Sequence, residues 1–329
     1  MPLLKLLAAA ITLPVALAAA PLPARAQDWP ERPVTMVVPF AAGGVYDTLG
    51  RVYAAALTDI LGRQVIVENV AGVGGMAGGA RVARAAPDGY QVLFGGESPN
   101  SQSQLLHKEP LYDAASDFAP VALVAEQPLL LAVSNKLPPG DLADFIAYAR
   151  ANQGKMQYGS PGVGAGSHLA CALFNVAVGI EVTHVPYRGL GPAMQDLIAG
   201  RIDYVCPTIT TALAQVEAHQ VGARAVLGRE RSPSLPDVPT AQEQGVKDFE
   251  AYSWNAMFLP KGTPAAIVAK LNAAAGAAMD TAAVRERLRQ LGAAAPALER
   301  RTPAYLQTLV AAEIAKWSAA VQAAGLEAE

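Results

Sequence analysis

The sequence predicts an α/β protein of two lobes, each a doubly wound sheet. Three observations carry this expectation. After Gln27, short apolar runs alternate with helix-patterned segments, the βαβαβ rhythm of a parallel sheet. Near residue 126 that rhythm breaks at a proline and then restarts with new strands. Finally, a proline-rich traverse at 232–240 leads back to one more strand and a helical tail, so the lobes are bridged at least twice.

In the first lobe, 34–38 reads as a buried strand. Residues 45–61 follow with Leu49, Val52, Tyr53, Leu57 and Ile60 at helical spacing, and Gly62 closes the helix as its C′ residue. A strand at 65–67, a glycine-rich loop, a helix at 76–84, a Pro-Asp-Gly turn and a strand at 91–94 complete the unit. The apolar runs 121–124 and 129–133, broken by Glu126-Gln127-Pro128, read as one long strand passing between lobes.

In the second lobe, Asp141 caps a helix over 142–151. Strands at 156–158, 182–185, 202–205 and 223–227 alternate with helices at 167–178, 192–199 and 212–218. In the tail, 254–259 is a strand. Thr263-Pro264 and Thr302-Pro303 are N-cap and N1 pairs that open helices at 264–279 and 303–324, with a shorter helix from Asp280 to Leu291. The expected domains are 27–126 plus 226–329, and 127–225.

The first 26 residues read as an export signal: Lys5, an apolar run interrupted by Pro14, then Ala24-Arg25-Ala26 as the cleavage site. The mature protein is then exported, with about 300 residues, enough for two cores. A net charge of −3 and a pI near 5.9, with no basic stripe, exclude a nucleic-acid surface. The positive mean hydropathy of +0.24 owes much to alanine and the signal segment. Cys171 and Cys206 fit no zinc or redox motif. Export favours a disulfide between them; two buried thiols are the alternative.

Familiar catalytic patterns fail on context. Gly72-Val73-Gly74-Gly75-Met76-Ala77 follows the second strand, not the first, and Asp88 sits in a turn, so a dinucleotide site is not supported. Gly96-Glu97-Ser98-Pro99-Asn100 breaks the G-x-S-x-G elbow at its last position. The four histidines, His107, His168, His184 and His219, have no metal spacing. No metal and no cofactor are expected.

What remains is a repeated device. Strands run into small residues and then into helices at Val37 to Asp47, at Tyr158 to His168 and at Val185 to Pro192. Helix N-termini carry free N–H groups and partial positive charge, and glycine lets an anion approach the backbone. One loop offers two or three charged hydrogen bonds of about 1.5–3 kcal/mol each. That barely exceeds an association cost of roughly 4–15 kcal/mol. Two loops, one per lobe, are needed to clamp a carboxylate.

The segments "RPVTMVVPFAAGG", "VIVENVAGVGGMAG", "VARAAPDGY", "DFAPVALVA", "SPGVGAGSHLA", "THVPYRG", "SPSLPDVPT" and "PKGTPAAIVAKLN" stand in this order. Together they resemble the Bug family of periplasmic solute-binding proteins, receptors of tripartite tricarboxylate transporters, over essentially the whole mature chain. The resemblance implies a two-lobed periplasmic-binding-protein fold of type II, with a hinge and a ligand cleft between the lobes, and a small carboxylate, amide or aromatic acid pinched there, partly through water. It also implies membrane transporter subunits as partners, and a monomer is expected. The implied ligand-binding residues are Phe40, Ala41, Ala42, Gly43, Gly44, Tyr46 and Asp47 in the first loop, and Ser98 after the third strand. In the second lobe they are Ser160, Gly162, Gly164, Ser167 and His168, with Tyr187, Arg188 and Asp203.

Two departures bear on the ligand. Tyr46 stands where the family usually carries Ser or Thr, and Glu97 stands in a loop where small hydroxyl residues are commoner. A cleft-facing Glu97 would repel a second carboxylate. That points away from a citrate-like ligand, toward a monocarboxylate or one with an amine or amide end. An exported hydrolase or isomerase would need a nucleophile–base pair in the cleft, which the sequence does not offer; a sensor would share the receptor's site and differ only in partner.

Overall fold

The computed structural model describes residues 29–162, 165–187 and 189–323. The expected export signal, Gly164 and Arg188 lie outside the described residues. In chain order the elements begin with β1 (Val34–Val38), α1 (Val45–Leu61), β2 (Val65–Asn69), α2 (Met76–Ala83), β3 (Gln91–Gly96) and β4 (Phe118–Pro128). Next come β5 (Leu130–Ser134), α3 (Leu142–Asn152), β6 (Gln157–Ser160), α4 (Gly166–Val178), β7 (Thr183–Pro186) and α5 (Leu190–Ile198). The chain continues with β8 (Tyr204–Val205), α6 (Ile209–Glu217) and β9 (Val221–Val226). It closes with β10 (Tyr252–Pro260), α7 (Ala265–Asp280), α8 (Ala282–Gln290) and α9 (Pro303–Ala323).

Two five-stranded sheets result, ordered β2-β1-β3-β10-β4 and β7-β6-β8-β5-β9. β1 pairs in parallel with β2 and β3, and β6 with β7 and β8. β10 runs against both its neighbours, and so does β5. These two are strands by which the chain enters a sheet from the other lobe.

The first sheet is apolar on both faces because helices cover both. Met36 and Val38 pack with Leu49, Tyr53 and Leu57 of α1 and Leu271 of α7. Val37 and Leu93 face Met76 of α2 and Leu306 of α9. In the second sheet Leu131, Val133, Tyr158 and Tyr204 pack against Phe174 of α4, while Leu130, Ala132 and Val205 face Leu197 and Ile209. Cys171 of α4 and Cys206 after β8 are joined in a disulfide inside this core, with Cα atoms 5.6 Å apart.

The expected single crossing strand is two strands in different sheets, separated only by Leu129. Leu129 N–H donates to Ala251 O (3.2 Å), and its carbonyl accepts from Leu227 N–H (2.8 Å), so outgoing and returning chains lie side by side. Beside them the 7%-exposed Glu126 accepts from Arg300 (2.7 Å), and Arg229 reaches Glu250 (2.6 Å). Helix starts move by a few residues from their expected places. α6 begins at Ile209, and α5 begins at Leu190, so Pro192 lies inside its first turn, where no N–H is needed. α8 is capped by Thr281, which accepts from Val284 N–H (3.3 Å), because α7 runs on through Asp280.

Candidate functional site

The loops that leave β1, β2 and β3 gather at the carboxyl edge of the first sheet, and those leaving β6, β7 and β8 gather at that of the second. In open α/β sheets this edge is where ligands bind. The two edges face one another. Oε1 of Glu97, just past β3, lies so close to Gly166 at the start of α4 that a Cβ there would sit 2.1 Å from it.

The first loop is held from beneath. Gly43 takes φ +86°, a backbone state that side chains disfavour. Its N–H donates to Asp47 Oδ2 (2.9 Å). Asp47 also accepts from Arg51 Nε (3.0 Å) and Asn69 Nδ2 (2.9 Å), and Asn69 reaches Phe40 O as well (2.9 Å). The Arg51 bond, then the Gly43 and Asn69 bonds, hold the Asp47 carboxyl at about 2. Asp47 is 4% exposed and its bonds are spent on the loop, so it shapes the jaw and does not face the cleft. Ala41, Ala42, Gly43 and Gly44 are exposed, and Gly44 opens α1 with no side-chain cap.

Tyr46 packs on Phe40 with ring centroids 4.5 Å apart, and its hydroxyl reaches the end of β3, where a Cβ on Gly96 would lie 2.6 Å from it. Burial, then the Glu97 charge, raise its pKa, against a hydrogen bond from Ser98 N–H. The ring thus fills the space between the first and third loops. Ser98 Oγ donates to Gly74 O (3.0 Å) and lies 3.1 Å from Ser103 Oγ, tying the second loop to the third.

In the second lobe Ser160 ends β6 with no exposure. Its Oγ lies 2.7 Å from His184 Nε2, accepts from Gly162 N–H (3.1 Å) and lies 2.9 Å from Gly162 O. Gly162 takes φ +143°. Ser167 is 9% exposed, and its Oγ has no partner among the described residues. α4 begins at Gly166 with no side-chain cap. By contrast α3, away from this edge, carries a full capping box from Asp141 and Asp144.

Two expected site residues, His168 and Asp203, sit elsewhere. His168 faces the sheet under α4, stacked on His184 with centroids 3.9 Å apart and on Tyr158 at 6.0 Å. Burial depresses both imidazoles to about 4. These rings border a cavity of about 710 Å³ along α4 and the start of β7. We place the candidate site at the strand ends instead, because there the loops of the two sheets face one another across Glu97 and Gly166. Asp203 Oδ2 accepts from Gln157 N–H (2.7 Å), the first residue of β6, whereas the clamp loop leaves its last. It therefore lies at the opposite edge of the sheet, about 10 Å away. Tyr187 donates its hydroxyl to Asp196 Oδ2 (2.8 Å) and its N–H to Ser160 O (2.9 Å), so it braces the clamp loop.

Sequence reasoning missed Asn69 and His184 as supports. The signal for each is register: Asn69 pairs with Val38 and His184 with Tyr158, one strand over from a loop origin. Ser160 with His184 has the spacing of a nucleophile and base. The serine is closed to solvent and held in its own turn, and no carboxylate is hydrogen-bonded to the imidazole among the described residues, so the pair is structural.

Residues 49–326 match the model of the tripartite tricarboxylate transporter family receptor. A protein of Agrobacterium vitis from the TAR-I ttuE–ttuC′ intergenic region is 41% identical over 306 residues, 93% of this chain and 88% of its own length. BugT of Bordetella pertussis is 34% identical over 320 residues, 97% of each chain. Among solved structures, MatC of Rhodopseudomonas palustris with bound malate superposes with a TM-score of 0.73 at 40% identity, covering 89% of this chain and all of that one. Rpa4515 of the same organism, with adipate, gives 0.76 at 35% identity over 92% of this chain and 100% of its own.

Proposed function

The chain belongs to the tripartite tricarboxylate transporter family of receptors, and we propose that it captures a small organic carboxylate between its lobes and delivers it to the membrane subunits of such a transporter. The family consists of solute-binding proteins, and the relatives solved with malate and adipate support a carboxylate as the ligand here. One observation carries the reading: α1 and α4 open onto the facing edges of two sheets, and neither helix has a side-chain cap. Their free N–H groups are matched to an anion held between them.

In this reading the ligand meets Phe40, the backbone from Ala41 to Gly44, Gly162 and Ser167 directly, with Gly164 and Arg188 from the same loops. Tyr46, Ser98, Ser160 and Tyr187 shape that surface. The lobes are 27–128 with 252–329, and 129–251, not a split at 225/226, a reading supported by Leu235, Ala241, Val246 and Phe249 packing with residues of the second sheet; closure turns about the paired segments at Leu129, Leu227 and Ala251. The receptor acts as a monomer in the periplasm after cleavage behind Ala26.

Mass spectrometry of ligand released by denaturing the purified protein, beside a thermal-shift panel of carboxylates, tests the proposal. Ligand at 100 times Kd adds about 2.7 kcal/mol of stability. A melting point moved only by neutral sugars or metal ions overturns it.

A further inference from the structure

We propose that Glu97 selects ligands whose second end carries hydrogen-bond donors, an ammonium or an amide, over ligands that end in a second carboxylate. The inference rests on the carboxylate-receptor reading above and names its ligand class more closely.

The observations lie at the point where the lobes touch. Glu97 is 5% exposed, and its Oε1 accepts from Gln102 Nε2 (2.9 Å) and presses on Gly166. Its Oε2 is buried, and the Ser253 hydroxyl approaches the carboxyl group without giving Oε2 a hydrogen bond of normal geometry. The carbonyl oxygen of Gln102 is buried and unpartnered too, as is the hydroxyl of Ser167 on the facing helix. Buried polar atoms in native proteins are nearly always paired. Two orphaned acceptors and a hydroxyl that can accept are complementary to a donor-rich group. A second ligand carboxylate could take at most the single proton of a protonated Glu97, and it would set acceptor against acceptor at Gln102 Oε1 and at Glu97 once that group ionises.

The nearby charges agree. Lys316 of α9 already pairs with Glu313 (2.8 Å), and Glu313 opposes ionisation of Glu97, as burial does more strongly. Tyr46 on α1 stays protonated beside it. These groups leave the Glu97 carboxyl near 8, so at neutral pH an incoming ammonium would ionise it and supply the missing counter-charge.

Titration calorimetry on the mature protein tests this with acids of similar length: succinate against 4-aminobutyrate, and adipate against 6-aminohexanoate and adipamic acid. The expected result is at least one donor-ended acid binding about tenfold or more tighter than its dicarboxylate partner, a preference abolished in both Glu97→Gln and Glu97→Ser. Amine affinity should also rise about tenfold per pH unit from pH 6 to 8 in the wild type and stay flat in Glu97→Gln. Dicarboxylates bound as tightly as their partners, with a ratio that neither variant moves, overturn the role of Glu97 and leave carboxylate capture standing. Binding of no acid of either kind overturns both.

Discussion

Ser160 Oγ lies 2.7 Å from Nε2 of His184, joining the last residue of β6 to its parallel neighbour β7 directly beneath the turn at Gly162. The same hydroxyl accepts from Gly162 N–H, so the imidazole fixes the turn through one intermediate atom. His184→Ala removes one hydrogen bond from a fully buried hydroxyl that keeps its contacts to Gly162, at a cost of about 0.5–1.5 kcal/mol. Urea denaturation should show that loss. Ligand affinity should fall as well, because the turn that presents the jaw is loosened; affinity unchanged beside lower stability would show that the turn does not depend on His184.

The pH dependence of stability should separate four groups. His168 and His184 are held at about 4, below the ordinary 6.5. Their contribution is present above pH 6.5 and is lost as pH falls toward 4, where the unfolded chain takes up protons first. Glu97 acts in the opposite sense. With its carboxyl near 8 against an ordinary 4.5, its contribution is full below 4.5 and lost as pH rises through 8. Asp47, at about 2 against 3.8, contributes above 3.8 and fades toward 2. Chemical denaturation from pH 4 to 9 should show His184→Gln flattening the acid side and Glu97→Gln flattening the alkaline side.

Local pattern made the existence of most elements legible. The buried run of β1, the spacing of Leu49, Tyr53 and Leu57, and the left-handed Gly62 behind α1 are all short-range signals. The insertion of β10 between β3 and β4 was not legible, because pairing over more than a hundred residues leaves no local mark. The site was legible as loops but not as side-chain directions. Ser167 and His168 are neighbours, yet successive helix residues point about 100° apart, so the turn of His168 toward the sheet carries Ser167 away from it. Asp203 precedes a strand parallel to β6, which puts it at the edge where β6 begins.

The first jaw offers a test of shape against charge. Asp47→Ala removes the acceptor that holds Gly43 N–H and anchors Arg51 and Asn69, without removing any group that faces the cleft. Ligand affinity should drop roughly tenfold or more, since bonds of this charged kind set the loop. Gly43→Val should act alike, because φ +86° excludes a branched side chain although the space around it is open. Titration calorimetry reads both; affinity retained in both variants would show that the loop's shape is immaterial.

The disulfide predicts an effect confined to stability. Cys171 and Cys206 are separated by 35 positions, and chain entropy gives about 3–4 kcal/mol for closing such a loop. Both cysteines have no exposure and pack among Phe174, Tyr158 and Tyr204, away from the facing edges. The Cys171→Ala, Cys206→Ala double variant should lose about that much in urea denaturation yet bind ligand with unchanged affinity at a temperature where it remains folded.

Gly166 and Glu97 should behave as a coupled pair. A methyl on Gly166 would meet Glu97 Oε1 at 2.1 Å, and with Gln102 holding that oxygen the carboxyl has little freedom to yield. Gly166→Ala therefore keeps the lobes apart at this point, and ligand affinity falls by about tenfold or more, while each lobe folds as before because the clash lies between them. Glu97→Ser shortens the opposing side chain and should return much of the lost closure when combined with Gly166→Ala. The measure is a double-mutant cycle read by small-angle scattering with and without ligand, and by calorimetry. A coupling near zero, with Gly166→Ala closing as fully as the wild type, would mean that contact between these two residues does not limit closure.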